Sequence, residues 1–143
     1  DRSVSRGLGD VYKRQELSDE QEAALKKQLN EYYRKHISLG DFVAFLAVGE
    51  EEVMAAAFMV INERPAGGAF ITGITGTLLN VITYPAYRKK GYATLLIEAL
   101  IQRARELNVT AIDLNATQMG EKVYQNLGFL PIKDVAMRLK LEY

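Results

Sequence analysis

LLNVITYPAYRKKGYATLLIEALIQRAREL, residues 78–107, decides the fold. Residues 78–83 are apolar except for Asn80 and the closing Thr83, as in a buried strand. Tyr84, Pro85 and Ala86 break that strand, and Arg88-Lys89-Lys90-Gly91-Tyr92-Ala93 leads directly into a helix. Strand, basic turn and helix in that order suit anion binding. The first helical turn has backbone N–H groups with no internal partner, and the helix dipole adds partial positive charge there. Gly91 removes a Cβ where backbone must approach a ligand, and Ala93 keeps the next inward position small. The helix beyond carries Ala93, Leu96, Ile97, Leu100, Ala104 and Leu107 on one stripe, with Glu98, Gln102 and Arg105 opposite. Asn108 suits a left-handed helix end.

Outward from this core, residues 111–115 read as a short strand. Strand, helix, strand within one unit implies a parallel, right-handed crossover, so this strand and the one at Leu78 are expected to be parallel neighbours. Residues 120–127 read as a short helix, and residues 129–132 and 135–141 as a closing antiparallel pair. Toward the N-terminus, residues 42–48 and 51–61 form a hairpin around Gly49-Glu50, with apolar residues on both faces. Residues 64–76 contain Pro65, Gly67, Gly68, Gly73 and Gly76 and read as a loop able to wall a substrate site. Ser18-Asp19-Glu20-Gln21 matches a capping box, opening a helix expected to reach about Ile37 and to stop before Gly40. His36 sits in its last turn, where a cation suits the negative helix end.

Composition narrows the function. A length of 143 residues suits one domain. Lys plus Arg and Asp plus Glu number 18 each, so there is no global field for nucleic acid and any anion site is local. No cysteine is present, which excludes disulfides, thiolate metal ligands and a cysteine nucleophile. The longest apolar run, residues 53–61, is too short to span a bilayer, and no signal-peptide pattern is read, so a cytoplasmic location without membrane contact is expected. No metal site is expected.

Arg88-x-x-Gly91-x-Ala93, after a strand and before an amphipathic helix, resembles the acyl-CoA pyrophosphate loop of the GNAT superfamily of N-acyltransferases. Tyr124-Gln125-Asn126-Leu127-Gly128-Phe129 is similar to that family's Tyr-x-x-Leu-Gly-Phe. The resemblance runs from about Glu16 to the C-terminus and is strongest over residues 78–129. It implies an α/β fold of α+β mixed type: a mixed, mostly antiparallel seven-stranded sheet with helices on both faces. It also implies acetyl-CoA as cosubstrate and a small amine as partner, and a homodimer would suit it, with oligomeric state left open.

Carried over by position, the resemblance gives Val81 and Thr83 as main-chain partners of the pantetheine arm and the Val81 N–H as donor to the thioester carbonyl. It places the pyrophosphate on amides of Arg88, Lys89, Lys90, Gly91, Tyr92 and Ala93, with Thr94 adding a hydroxyl. Tyr124 becomes the general acid toward the leaving thiolate. Thr117 and Gly120 stand where many relatives carry asparagine and alanine, so Thr117 is the remaining side-chain candidate for the pantetheine. Asn80 is a candidate to order a water or touch the acceptor, and Glu63 is an alternative base.

The expected activity is acetyl transfer from acetyl-CoA to a primary amine of a small molecule or to a free amino group. A silent acyl-CoA-binding sensor or partner module is the second reading, and DNA binding through residues 88–90 a weak third. Residues 1–15 resemble a translated library adapter and are expected to be a non-native leader. On that reading residues 16–143 form the domain without the family's first strand and helix. Poorer stability is then expected, because the strand at Phe42 becomes an exposed edge.

Overall fold

Ser18 opens the first helix by the reciprocal bonding its sequence anticipates. In the computed structural model, which describes residues 17–118 and 120–141, the Ser18 Oγ accepts from the Gln21 N–H at 3.1 Å and the Gln21 side chain accepts from the Ser18 N–H at 3.0 Å. Helix α1 runs over Asp19–Leu39, past the expected end at Ile37. Gly40, at φ 82°, turns the chain left-handed, and its N–H closes on the His36 and Ile37 carbonyls. The leader expected over residues 1–15 lies outside the described residues.

Four strands follow: β1 (Phe42–Val48), β2 (Val53–Glu63), β3 (Ile74–Thr83) and β4 (Ala111–Asp113). They lie in the order β1-β2-β3-β4; the first two pairings are antiparallel and β3 with β4 is parallel. Helix α2 (Tyr92–Glu106) is the crossover and α3 (Glu121–Asn126) comes after β4. This is the mixed α/β arrangement, mostly antiparallel, that the resemblance implies. Among the described residues the sheet has four strands, against seven expected.

β2 explains why both its faces are apolar. Ala55, Ala57 and Met59 pack with Leu96, Ile97, Leu100 and Ala104 of α2, while Ala56 and Phe58 pack with Leu29 and Tyr33 of α1 and with Phe42. Helices therefore cover both faces, and the stripe predicted on α2 is the buried one. Asn108 is left-handed at φ 61°, as expected. No helix among the described residues is long and apolar enough to cross a membrane.

Two expectations need correction. β3 begins at Ile74, inside the stretch read as loop, because Thr75 and Gly76 are buried between β2 and β4. Gly67, Gly68 and Gly73 belong to the β2–β3 connection, whereas Gly76 lies within β3. Gly73, at φ 74°, approaches so closely that a Cβ there would sit 2.4 Å from the Arg64 carbonyl oxygen. The closing antiparallel pair does not form either: among the described residues no strand covers residues 129–141. Their alternation marks a strand-like segment, yet Pro131 has no N–H to give a ladder.

Candidate active site

β3 outruns its parallel neighbour. The two pair only at Thr75/Ala111, Gly76/Ile112 and Thr77/Asp113, so among the described residues no strand lies beside this edge of β3 from Leu78 onward. A bulge opens the same region. Phe58 lies opposite Asn80 and Met59 opposite Leu78, which leaves Leu79 unpaired and 47% exposed. Leu78 and Val81 consequently pack toward α2, although regular alternation would separate them, while Ile82 packs toward α1. Asn80, across from Phe58, shares the α1 side and faces away from Val81, as expected.

One hydrogen bond sets which amides face the gap. The Tyr84 N–H donates to the Met54 carbonyl at 3.1 Å, which marks Met54/Tyr84 as a hydrogen-bonded pair. Pairs alternate in an antiparallel ladder, so Ile82 points its backbone groups at β2. Val81 and Thr83 point theirs at the open edge. The Arg88 Nε bond to the Thr83 carbonyl, at 3.1 Å, agrees with that phase. Arg88 is thus tied back to the strand, and the Thr83 oxygen is already in use.

After Thr83, Pro85–Tyr87 makes a 3-10 turn, and the chain is left-handed at Lys89 (φ 63°) and Gly91 (φ 81°). Turns of this kind rotate successive N–H groups outward into an anion-binding concavity. Gly91 is the N-cap of α2, and no side chain caps that end. The first-turn amides of Tyr92, Ala93 and Thr94 are therefore left without a side-chain cap, where helix dipole and basic charge come together. A Cβ at Gly91 would meet nothing within 4 Å, so its dihedral and not its size makes glycine necessary. A contact missed at the sequence level steadies this turn: the Tyr87 hydroxyl donates to the Glu52 carboxylate from the β1–β2 turn, and the Lys90 ammonium lies 5.8 Å from the Tyr87 ring. Only pairing β2 with β3 brings Glu52 there.

Tyr124, on α3, is half-buried, and its ring meets Phe129 edge-on at 5.8 Å. It packs against the same core cluster as Val81 and Tyr92. Burial pushes its phenol above the usual value of 10.0. Thr117 is placed by a local role. Its Oγ accepts from the Gly120 N–H at 3.2 Å and its carbonyl from the Glu121 N–H at 3.0 Å, so it closes the turn that leads into α3, whose N-cap is Gly120. A Thr117→Ala variant is expected to lose about 1 kcal/mol with that hydrogen bond, read as a fall in melting temperature of about 3 °C; an unchanged melting curve would argue against a role for the hydroxyl in the turn.

Other expected residues lie elsewhere. Glu63 pairs with Ile74 at the far end of the β2–β3 ladder, whereas Ala57 faces Val81. At ~3.4 Å per residue that is about 20 Å away, so Glu63 is no base for this cleft. The glycine-bearing connection is at that same far end and walls nothing here. His36 Nδ1 bonds the Asp41 carboxylate at 2.7 Å and its ring lies 4.2 Å from that of Tyr32, a local role at the end of α1. Among the described residues no group of three or more His, Cys, Asp or Glu is placed to hold a metal ion.

A model of the acetyltransferase (GNAT) family matches residues 9–129. A solved structure of a predicted acetyltransferase with acetyl-CoA from Clostridium acetobutylicum is similar at 26% identity and TM-score 0.79, covering 99% of this chain and 92% of that one. A GCN5-related N-acetyltransferase from Ralstonia eutropha matches at 18% identity and TM-score 0.77, covering 95% and 90%. Glucosamine-6-phosphate N-acetyltransferase from Arabidopsis thaliana matches at 14% identity and TM-score 0.73, covering 99% and 93%. The last two likenesses speak for the fold alone. Comparison with curated protein sequences gives no match.

Proposed function

The chain belongs to the acetyltransferase (GNAT) family, and from that premise we propose that it transfers the acetyl group of acetyl-CoA to a primary amine of a small molecule or to a free amino group. The observation that carries this reading is the unpartnered edge of β3 with Val81 and Thr83 turned toward it, running straight into the uncapped start of α2. A pantetheine arm is an extended chain with amides, which suits a strand edge. A pyrophosphate suits the left-handed turn at Lys89 and Gly91. The acetyl-CoA in the printed name of the Clostridium acetobutylicum neighbour supports the same ligand.

In this mechanism the amine lone pair attacks the thioester carbonyl carbon. The Val81 N–H stabilises the oxygen as it gains charge, which is commonly the largest contribution in acyl transfer. The carbon–sulfur bond breaks, the amide forms, and the departing sulfur takes a hydrogen bond from Tyr124. The nitrogen loses its proton to solvent, and Asn80 is the candidate to order the water that takes it.

A thiol-release assay over a library of amines, with calorimetry for CoA, tests the proposal. The expected result is CoA binding and turnover of at least one amine. A second reading, acyl-CoA binding without transfer, is favoured by one observation: Glu63 and His36 both lie away from the cleft. Binding with no turnover for any amine would select it, and a folded sample that ignores CoA would overturn both.

A further inference from the structure

Lys89 is left-handed at φ 63° without being glycine. An L-residue enters that region at a cost, and it stays there only where the chain on either side is fixed. Downstream, Gly91 and helix α2 fix it. Upstream, three bonds add to those within the 3-10 turn. The Tyr84 N–H donates to the Met54 carbonyl at 3.1 Å, the Arg88 Nε to the Thr83 carbonyl at 3.1 Å, and the Tyr87 hydroxyl to the Glu52 carboxylate. The first two belong to the end of the β2–β3 ladder. The third reaches across to the β1–β2 turn.

Glu52 is itself held. Its carbonyl accepts from the Gly49 N–H at 2.9 Å, which closes the turn, and Val53 then pairs with Val48. The hairpin end thus presents a carboxylate to the last residue of the 3-10 turn, two positions before Lys89. Tyr87 is half-buried, and the Lys90 ammonium lies 5.8 Å from its ring, so one side chain meets both the hairpin and the basic turn. Charge does not account for Glu52. With Glu50 and Glu51 adjoining it in sequence, it brings negative charge toward a turn that carries Arg88, Lys89 and Lys90, and this opposes an incoming anion. What it offers the site is the bond.

We propose that Glu52 and Tyr87 are positioning residues for the cosubstrate. Their bond holds residues 88–91 in the left-handed turn whose amides meet the diphosphate of acetyl-CoA. Glu52 acts through Tyr87, and Tyr87 acts through the backbone at Lys89. This inference rests on the reading of the cleft as an acetyl-CoA site.

Calorimetry with CoA reads the bond. Tyr87→Phe keeps the ring and its contact with Lys90 and removes only the hydroxyl. Affinity is expected to fall about fivefold, on the scale of losing one exposed charge-assisted hydrogen bond. Glu52→Gln and Glu52→Ala both remove the charge, and only glutamine keeps an acceptor. The glutamine variant is expected to bind CoA about threefold more tightly than the alanine variant, and that ratio is expected to vanish once Tyr87→Phe is added to each. Against a turned-over amine, Tyr87→Phe raises KM for acetyl-CoA and leaves kcat unchanged, a split that loss of folded protein would not give. Amide hydrogen exchange at residues 89–92 of the ligand-free protein is expected to quicken in the same variant. An unaltered chain that ignores CoA overturns the reading of the cleft and this inference with it. If the unaltered chain binds CoA, equal affinity in Tyr87→Phe overturns the inference alone. So does a glutamine-to-alanine ratio that persists without the hydroxyl, or unchanged exchange at residues 89–92.

Discussion

Tyr124→Phe is expected to lower kcat by about 100-fold, near the lower bound for losing a positioned proton donor, with CoA affinity unchanged. The ring stays, so the edge-on contact with Phe129 and the packing on the core cluster survive. Only the hydroxyl goes. Burial holds the phenol above 10.0, whereas a free thiol titrates near 8.5. The departing sulfur is therefore the weaker base of the two, and Tyr124 acts chiefly by hydrogen-bonding the charge as it develops, with full proton transfer running uphill.

A pH consequence follows from the sign. A phenol raised above its ordinary value stays protonated through neutral and mildly basic solution, so it contributes no falling limb to kcat below about pH 10. A basic limb near pH 8 that disappears in Tyr124→Phe would contradict burial as the governing influence. Unchanged turnover in that variant, with CoA still bound, would remove Tyr124 from the reaction.

Gly91→Val is expected to weaken CoA binding by at least about tenfold, since the left-handed region costs an L-residue about 1–2 kcal/mol and a β-branched one more. The space around Gly91 is open, so no clash contributes; the φ of 81° does. Valine would pull the turn out of this conformation and swing the amides of Tyr92 and Ala93 away from the ligand. Gly91→Asn is the informative control, because asparagine tolerates left-handed backbone. Calorimetry should show most of the affinity retained with asparagine and lost with valine. Equal affinity in both would mean that the diphosphate is held elsewhere.

Much of this site was legible because its signals are local. A capping box, a glycine after a helix, and a basic turn between a strand and an amphipathic stripe each act within a few residues. Ser18, Gly40 and Gly91 accordingly do what their neighbours in sequence predict. Other assignments failed where the partner was remote. Glu63 looked adjacent to the site until the ladder put it at the opposite end. The glycines of residues 64–76 looked like a substrate wall until β3 proved to start at Ile74. The closing strands were read from alternation alone, which marks a strand-like segment but names no edge for it to pair with.

From the chain alone came the family resemblance, the helix proposed to receive the anion and the tyrosine proposed to serve the leaving sulfur, because each rests on residues close in sequence. Tertiary structure alone decided the slip at Leu79, which turns Leu78 and Val81 to one face, and the outward direction of the Val81 and Thr83 amides. It also decided that Glu52 meets Tyr87 and that no strand among the described residues covers residues 135–141. The physical reason is hydrogen-bond phase: a strand's pattern is the same whichever way its amides face, and only the partner, here the Met54 carbonyl, breaks that tie.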